Sequence, residues 1–320
     1  MSQSNILFFT DPHNSDQPPR MRREGYREQI LAKQVAIIPH AKVVDLTIIG
    51  GDIFHQKKTH KISHYLVSKV MEIYREYGAV YIVPGNHDFD MNPEEMKNNP
   101  LGIVCKLPNV RLLHGGIARS IMGMDIFFKG LGDFKEDKTL IDMLKEWQID
   151  QTERAKSMTS ILYNVAVIHD SVSYRKLPYE TIPFGNIEKY ADLFLLGHIH
   201  KPQGETVRMV SPGALSRGSL ERDTVDRAVV FVVIDIDTDA RRHSVKPIKL
   251  LVKPAEEVFK LDQKVAEIKI DDKVNKFLEY LQTVHVDLKV SDVRDMIQKI
   301  EVLDMDERVK KEAIKILEQL

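Results

Sequence analysis

The chain has 320 residues, of which 43% are hydrophobic and 29% charged, an ordinary globular composition with ample material for a core. Its formal net charge is −1, so any binding to nucleic acid requires a local basic surface rather than bulk attraction. The only cysteine, Cys105, excludes an intramolecular disulfide framework and a cysteine zinc cluster. Neither a secretory signal nor an apolar run of membrane-spanning length is visible, which predicts a cytoplasmic protein.

Strands and helices alternate in the first part of the predicted structure. Apolar runs with the β-branched and aromatic make-up of buried strands cover residues 5–9, 44–50, 79–83, 163–168 and 192–197. Residues 26–38 and 64–77 carry apolar side chains at mixed spacings of three and four, which predicts helices. Strands that alternate with helices favour a parallel or mixed sheet covered by helices.

The pattern changes after residue 204, where successive strands with little helix between them predict a second sheet packed against the first. Beyond residue 254, charged helices with apolar stripes replace the strands. The predicted fold class is therefore α/β: a two-sheet sandwich flanked by helices, with a small C-terminal α-rich capping domain. We expect residues 1–253 to form the main domain and residues 254–320 the C-terminal helical capping or partner-binding region.

Each of the five predicted strands ends in residues that can bind metal ions. In chain order these are Asp11, His13, Asp52, Asn86, His87, Asp88, His169, His198 and His200. Each alone is more simply a turn former or a hydrogen-bonded surface group. Turns would also use Ser, Gly, Lys and Pro, whereas all five strand ends carry Asp, Asn or His. Since ligand sites form at the carboxyl ends of strands in α/β sheets, the pattern predicts a metal centre.

The types of ligand narrow the choice of metal. Imidazole, carboxylate and amide oxygen without thiolate suit manganese or iron, with zinc as a further candidate, and they disfavour calcium. We expect two divalent ions, manganese first, with iron, zinc or magnesium as alternatives. The set is too large for one ion and fits two that share a bridging carboxylate. Two ions about 3.5–4 Å apart are the usual device for in-line displacement at phosphorus.

The motifs resemble those of calcineurin-like metallophosphoesterases over about residues 5–200. The matching segments are Asp11-Pro12-His13, Gly51-Asp52, Gly85-Asn86-His87-Asp88, His169 and Gly197-His198-Ile199-His200. Within that superfamily the chain is similar to the SbcD-type nucleases of DNA double-strand-break repair. The segments that carry this similarity are GDIFHQKKT (51–59), GHIHKPQ (197–203) and SPGALSRGSLERD (211–223), and residues 18–33 resemble phage and bacterial members.

The resemblance implies which residues hold the two ions. The first ion would be held by Asp11, His13 and His200, the second by Asn86, His169 and His198, and Asp52 would bridge them. It also implies hydrolysis of a phosphodiester by a water molecule that the ions activate.

The resemblance also implies catalytic residues outside the ligand set. His87, oriented by Asp88, would stabilise or protonate the departing oxygen, and His55 would help to seat the scissile phosphate of DNA. Many relatives have Gly or Gln where this chain has Asp170, which is either an additional metal-affinity group or a solvated turn residue. The arginine that serine/threonine phosphatases carry after the Gly-Asp segment is absent here, which argues against a protein phosphatase.

Basic residues near the first two motifs are candidates for contacts with DNA phosphates, the alternative being solvated charged loops. They are Arg20, Arg22, Arg23, Lys57 and Lys58, together with Arg217 from the third segment. The resemblance further implies a coiled-coil ATPase partner of the SbcC type and a homodimer formed through helices near 60–77 and 93–106. It places the protein in bacterial cytoplasm or, if phage-encoded, in the host cytoplasm.

Three functions follow as hypotheses. The first is a metal-dependent DNA exo/endonuclease that acts in recombination and double-strand-break repair with the ATPase. The second is a phosphodiesterase for a small molecule or cyclic nucleotide. The third is a catalytically inactive scaffold, against which the complete ligand set argues.

Overall fold

The computed structural model describes residues 3–56, 58–88, 98–113, 117–121, 124–130, 139–157, 163–203, 207–218 and 227–261, with five single helical residues beyond. The helices are α1 (Tyr26–Ala41), α2 (His64–Glu76), α3 (Pro100–Val104), α4 (Leu140–Ser157) and α5 (Ala255–Val258). The strands are β1 (Gln3–Phe9), β2 (Leu46–Ile49), β3 (Val80–Ile82), β4 (Val110–Leu112), β5 (Ile117–Ile121), β6 (Met124–Lys129), β7 (Tyr163–His169), β8 (Val172–Ser173), β9 (Ile182–Pro183), β10 (Leu193–Gly197), β11 (Met209–Val210), β12 (Val230–Asp237) and β13 (Arg242–Lys249).

Two large sheets form the centre of the fold. The first has the order β13-β12-β1-β2-β3-β4, and the second has the order β11-β10-β7-β6-β5. Strands β1 to β4 are mutually parallel, and so are β6, β7, β10 and β11, as expected where helices or long crossovers connect strands. A two-stranded sheet of β8 and β9 follows β7 directly. The α/β fold class predicted from the sequence is confirmed.

The assignment of strands to the two sheets differs from the sequence prediction. The late strands β12 and β13 do not form the second sheet; β12 pairs antiparallel with β1, so the pair extends the first sheet. The second sheet is instead built on β7 and β10, which we expected in the first, and on β5 and β6. Apolar content shows that a strand is buried but does not show which neighbour it pairs with, which is why the assignment was wrong.

Alternation along the strands produces the layers. Ile6 and Phe8 of β1 belong to an apolar cluster with Val165 and Val167 of β7, so this cluster is the core between the two sheets. The intervening Leu7 of β1 belongs instead to a cluster with residues of α1 and α2. Because side chains alternate across a strand, one strand can supply both layers at once.

The outer face of the second sheet is covered in the same way. Ala166 and Ile168 of β7 pack in a third cluster with Leu144 and Trp147 of α4. The Trp147 indole N–H donates a 2.8 Å hydrogen bond to the buried carboxylate of Asp125 on β6, which ties α4 to the sheet. The described residues thus form a sandwich of two sheets with helices on both outer faces.

Contacts between residues divide the chain into Met1–Val258 and Phe259–Leu320. The predicted boundary near residue 254 lies four residues before this division. The apolar stripes predicted for the C-terminal helices lie almost wholly outside the described residues. The residues described in that part of the chain are all helical: Ile297, Glu307, Lys310, Lys311 and Ile314. None of the described helices combines the length and apolar character that a bilayer crossing requires.

Candidate metal centre and active site

The predicted ligands follow strands of both sheets and meet at one end of the sandwich. Asp11, His13 and Asp52 follow strands of the first sheet, and His198 follows β10 of the second. These four residues have positive φ angles of 52°, 47°, 52° and 80°, a left-handed conformation that is uncommon outside glycine. Such strain persists only where the surroundings impose it, and it is concentrated at functional sites.

The first group of candidate ligands surrounds His13. Its Nε2 lies 3.8 Å from Asp11 Oδ1, 3.5 Å from Asp52 Oδ2 and 3.0 Å from His200 Nε2. His200 Nε2 is in turn 3.6 Å from Asp11 Oδ1. One ligand atom from each of these four residues lies within 4.8 Å of the others, so the group can hold one metal ion.

The second group shares Asp52 with the first. Asp52 Oδ2 lies 3.6 Å from His169 Nε2, and Asp52, His169 and His198 meet the same 4.8 Å criterion. Asp52 Oδ2 therefore lies between a histidine of the first group and a histidine of the second, where a bridging carboxylate belongs. Asn86, the amide ligand predicted for the second ion, is exposed and lines the same cavity as Asp52 and His198.

Two buried ligand atoms in these groups have no hydrogen-bond partner among the described residues. Among the described residues, Asp11 Oδ1 and His169 Nε2 are inaccessible to solvent and make no hydrogen bond. Buried polar atoms are almost always hydrogen-bonded, and two unpaired atoms within groups of ligand type are suited to coordinate an ion. The other nitrogen of His169, Nδ1, donates to the carbonyl of Gly50 at 2.5 Å, which leaves the Nε2 lone pair for a metal. These residues fit a pair of divalent ions.

The charges at the site also favour cations. Burial lowers the pKa of His13 well below its ordinary value, and burial also lowers the pKa of His198. These imidazoles are therefore neutral and can donate a lone pair. Burial opposes protonation of His169, but the charges of Asp52 and Asp11 outweigh it and raise its pKa to about 9. A proton on His169 compensates the buried carboxylates, and a bound divalent ion would supply the same compensation.

A residue outside the predicted set holds Asp11. The hydroxyl of Thr10 lies 2.5 Å from Asp11 Oδ2, and the backbone N–H of His198 donates to the same oxygen at 3.1 Å. These contacts leave Oδ1 directed towards the first group of ligands. In the sequence, only the position of Thr10 directly before the first motif hinted at a role near the ligands. A threonine at that position does not by itself predict the hydrogen bond to Asp11.

Glycine is required where the backbone passes close to the ligands. A Cβ on Gly85 would overlap the carboxylate and backbone nitrogen of Asp52, and a Cβ on Gly51 would overlap the ring of His169. Gly51 also has a φ angle of +102°, which L-amino acids with side chains rarely adopt. Gly51 and Gly85 are thus required by the dense packing around His169 and Asp52.

His87 and His55 form a stacked pair beside the first group of ligands. Their ring centroids are 5.1 Å apart with an interplanar angle of 15°, and His55 Nδ1 lies 3.4 Å from His13 Nδ1. His87 Nδ1 donates to the backbone carbonyl of His55 at 2.9 Å, which leaves Nε2 available. Burial, with the charge of His87, lowers the pKa of His55.

The predicted role of Asp88 requires correction, because its carboxylate does not orient the ring of His87. Asp88 Oδ2 accepts the backbone N–H groups of Ile53 and Gly85, and Oδ1 accepts that of Phe54, all at 3.0 Å. Burial, followed by the charge of Asp52, raises the pKa of Asp88 to about 7. Asp88 therefore ties together the two loops that carry His55 and His87, and the backbone of His55 orients the His87 ring.

Asp170 is neither in a ligand group nor a solvated turn residue. Its Oδ2 lies 3.0 Å from Lys129 Nζ, and the two side chains are 16% and 10% exposed. Its Oδ1 accepts the backbone N–H of Ser171 at 2.7 Å. Asp170 therefore anchors the segment after β7 to the end of β6.

A cavity of about 830 Å³ opens onto the ligand groups. Asp52, Asn86, His87, His198 and His200 line one side of it. The His87 ring is thus placed where a substrate held at the ligand groups can contact it. The volume lies in the range of sites that bind ligands larger than a single phosphate.

The basic residues predicted to contact DNA fall into two sets. Arg20, Arg23 and Lys58 are exposed. Arg22 and Arg217 are only 2% and 5% exposed. Arg22 stacks on Tyr26 and donates to Gln29 at 2.5 Å, and Arg217 donates to the carbonyl of Lys253 at 2.8 Å, so both stabilise the protein interior. Lys57 lies outside the described residues.

These features together define a phosphoester hydrolase of the metal-dependent class. Residues 4–202 match the family model described as calcineurin-like phosphoesterase. The match covers more than half of the chain, and the chain belongs to this family. No curated protein sequence matches the chain as a relative.

Solved structures that are similar to the chain include the following three, all at low identity. A 5′-nucleotidase precursor from Thermus thermophilus has 16% identity and a TM-score of 0.46, with 89% of this chain and 59% of that chain covered. The purple acid phosphatase PPD1 of yellow lupin (Lupinus luteus) has 11% identity and a TM-score of 0.47, with 78% and 52% covered. The sulfate thiohydrolase SoxB of Thermus thermophilus, in complex with glycerol, has 13% identity and a TM-score of 0.43, with 90% and 62% covered.

The chain thus spans between 52% and 62% of the length of these structures. At these values the likenesses carry no argument about the substrate of this chain.

Proposed function

We propose that the chain is a metal-dependent DNA exo/endonuclease that hydrolyses phosphodiester bonds at a two-metal site. It acts in DNA recombination and double-strand-break repair as the nuclease subunit of a complex with an SbcC-type ATPase. The observation that carries the proposal is the stacked pair of His55 and His87 beside the ligand groups. In this pair one ring can serve the departing oxygen while the other contacts the scissile phosphate.

The residues of the site have two roles: some hold the ions, and others contact the substrate. Asp11, His13, Asp52, Asn86, His169, His198 and His200 would hold two divalent ions, which would supply Lewis acidity and lower the pKa of a water molecule. His87 directs the nitrogen that its backbone contact leaves free towards the departing oxygen, to which it contributes a proton or a hydrogen bond. His55 fixes the ring of His87 through its carbonyl and offers its own ring to the scissile phosphate.

Contacts with the rest of the DNA strand are proposed for the exposed basic residues Arg20, Arg23 and Lys58. Such contacts add affinity without sequence preference and make binding dependent on salt. Manganese is the proposed metal, since the ligands are imidazole, carboxylate and amide oxygen. Homodimer formation is proposed through the segments near residues 60–77 and 93–106, and residues 93–97 of the second segment lie outside the described residues.

The test is a nuclease assay on linear duplex and single-stranded DNA with manganese, with and without a co-encoded ATPase. We expect His87→Ala to abolish cleavage while manganese binding, measured by calorimetry, persists. We expect His55→Ala to reduce cleavage of DNA more than hydrolysis of bis(4-nitrophenyl) phosphate. His60→Ala serves as the matched control, because His60 is an exposed histidine on the neighbouring turn and does not line the cavity.

Two results would refute the assignments. Normal cleavage by His87→Ala would show that His87 has no role in catalysis. A wild-type protein that ignores DNA but hydrolyses a cyclic nucleotide would establish the second hypothesis, a phosphodiesterase for small molecules.

A further inference from the structure

The cavity above the ligand groups has a second wall, which the motifs do not assign to any task. Ser173 and Arg175, from the segment after β7, and Lys201 and Gln203, from the loop after β10, line this wall. Sites for drug-sized ligands occupy roughly 300–1,000 Å³, and the cavity of about 830 Å³ is therefore large enough for more than the scissile phosphate. The second wall is thus placed to contact the part of the substrate that does not react.

This wall is positively charged. Arg175 is exposed, and within the described part of the chain its guanidinium makes no hydrogen bond or ion pair. Asp52 is the only carboxylate among the described lining residues, and it belongs to the ligand groups. A guanidinium binds phosphate through two parallel hydrogen bonds, and its charge cannot be titrated away at neutral pH.

The segment that carries Arg175 is held by Gln203. The Gln203 side-chain amide donates to the carbonyl of Val172 at 2.8 Å, and its oxygen accepts the backbone N–H of Tyr174 at 3.2 Å. The backbone N–H of Gln203 donates to the carbonyl of Ser211 at 3.2 Å, which fixes the main chain of Gln203 itself. The Ser173 hydroxyl then closes a tight turn by donating to the carbonyl of Arg175 at 2.7 Å. Both ends of one amide therefore set the position of the turn that carries Arg175.

We propose that Arg175 binds a non-scissile phosphate of the DNA strand and that Gln203 is the positioning residue that holds it there. The inference rests on the proposed nuclease function and specifies how that site selects its substrate. A polynucleotide carries a second phosphate next to the one that is cleaved, whereas a cyclic nucleotide or a diaryl phosphodiester carries only one. Arg175 thus favours substrates that continue beyond the reacting phosphate.

The experiment compares steady-state kinetics on a single-stranded oligonucleotide and on bis(4-nitrophenyl) phosphate, both with manganese. We expect Arg175→Ala to lower kcat/KM for the oligonucleotide about tenfold more than for the single-phosphate substrate, mainly through KM. Arg175→Lys should restore part of this loss. The matched control is Lys176→Ala, which removes an exposed charge from the adjacent position, outside the cavity lining.

Gln203→Met tests the positioning role because it removes both hydrogen bonds at similar volume. We expect the same selective rise of KM for the oligonucleotide. If Gln203 acts through Arg175, the double variant should have the KM of Arg175→Ala alone rather than the product of the two effects. A general loss of structure would lower the rates on both substrates equally, so the difference between substrates separates the two explanations.

The outcomes for the two proposals are distinct. Equal kinetics for Arg175→Ala and Lys176→Ala on the oligonucleotide, with wild-type nuclease activity present, would refute the role of Arg175 and leave the nuclease function standing. Multiplicative effects in the double variant would refute the role of Gln203. Absence of nuclease activity in the wild type, with hydrolysis of the single-phosphate substrate, would refute both the nuclease function and this inference.

Discussion

Replacement of Thr10 by valine tests whether the hydrogen bonds around the ligands control metal affinity. Thr10 is 1% exposed, and its hydroxyl lies 2.5 Å from Asp11 Oδ2 and 2.9 Å from the carbonyl of Gly50. The hydroxyl has one proton to donate. Gly50 already accepts from His169 Nδ1, and the carboxylate is the closer and charged acceptor, so the proton belongs to Asp11. Valine keeps the shape of threonine and removes only this donor.

The expected loss follows from these contacts. A hydrogen bond to a charged group contributes roughly 1.5–3 kcal/mol. Asp11 Oδ2 keeps one donor after the change, the N–H of His198, so the carboxylate stays in place but is held less firmly. Since about 1.4 kcal/mol corresponds to a factor of ten, manganese should bind the first group of ligands about 10 to 100-fold more weakly.

Calorimetric titration of the metal-free protein with manganese measures this loss independently of activity. Thr47→Val is the control: Thr47 is fully buried in β2, and its hydroxyl makes no hydrogen bond among the described residues. It therefore removes a threonine hydroxyl from the same sheet away from the ligands. Equal manganese affinities for the two variants would refute the role of the Thr10 hydroxyl. Weaker binding by Thr47→Val alone would refute it as well.

Two further substitutions test the packing around the site. Gly85→Ala places a Cβ against Asp52, so we expect a loss of roughly 1–3 kcal/mol in unfolding free energy by denaturant titration, together with loss of hydrolysis. Gly185→Ala, where a Cβ meets nothing within 4 Å, should change neither, and an unaffected Gly85→Ala would contradict the packing described. Asp170→Asn leaves Lys129 without its ion pair and should lower the free energy of unfolding by about 1–3 kcal/mol. The number of manganese ions bound per chain should stay unchanged. Loss of an ion on titration would instead identify Asp170 as a ligand.

The sequence alone was sufficient to predict that several candidate ligands come together. Asp11, Asp52, His169 and His200 follow four different strands, and strand order plus residue type placed all of them at one end of the fold. This succeeded because the carboxyl ends of parallel strands lie at one edge of their sheet, and in this sandwich β1 and β2 of the first sheet and β7 and β10 of the second bring their ligands together. The prediction therefore survived the wrong assignment of strands to sheets.

Sheet order itself could not be predicted, because it depends on pairing between distant segments. Residues 230–237 read as one more buried strand, and only the register of β12 against β1, with Gln3 opposite Asp237, places it in the first sheet. Judged by composition alone, such a strand could pair at either edge of either sheet. The same limit explains why β7 and β10 were placed in the first sheet rather than the second.

Hydrogen-bond partners inside the site were beyond sequence reasoning for a different reason. Asp88 follows His87 directly, and the family resemblance implied that its carboxylate orients the His87 ring, yet that carboxylate binds other groups. The carboxylate of Asp88 instead binds the N–H groups of Ile53 and Phe54, in the loop that ends at His55. The stacked histidines are thus positioned by backbone contacts between two loops, so their geometry depends on Asp88 even though its side chain does not contact the His87 ring.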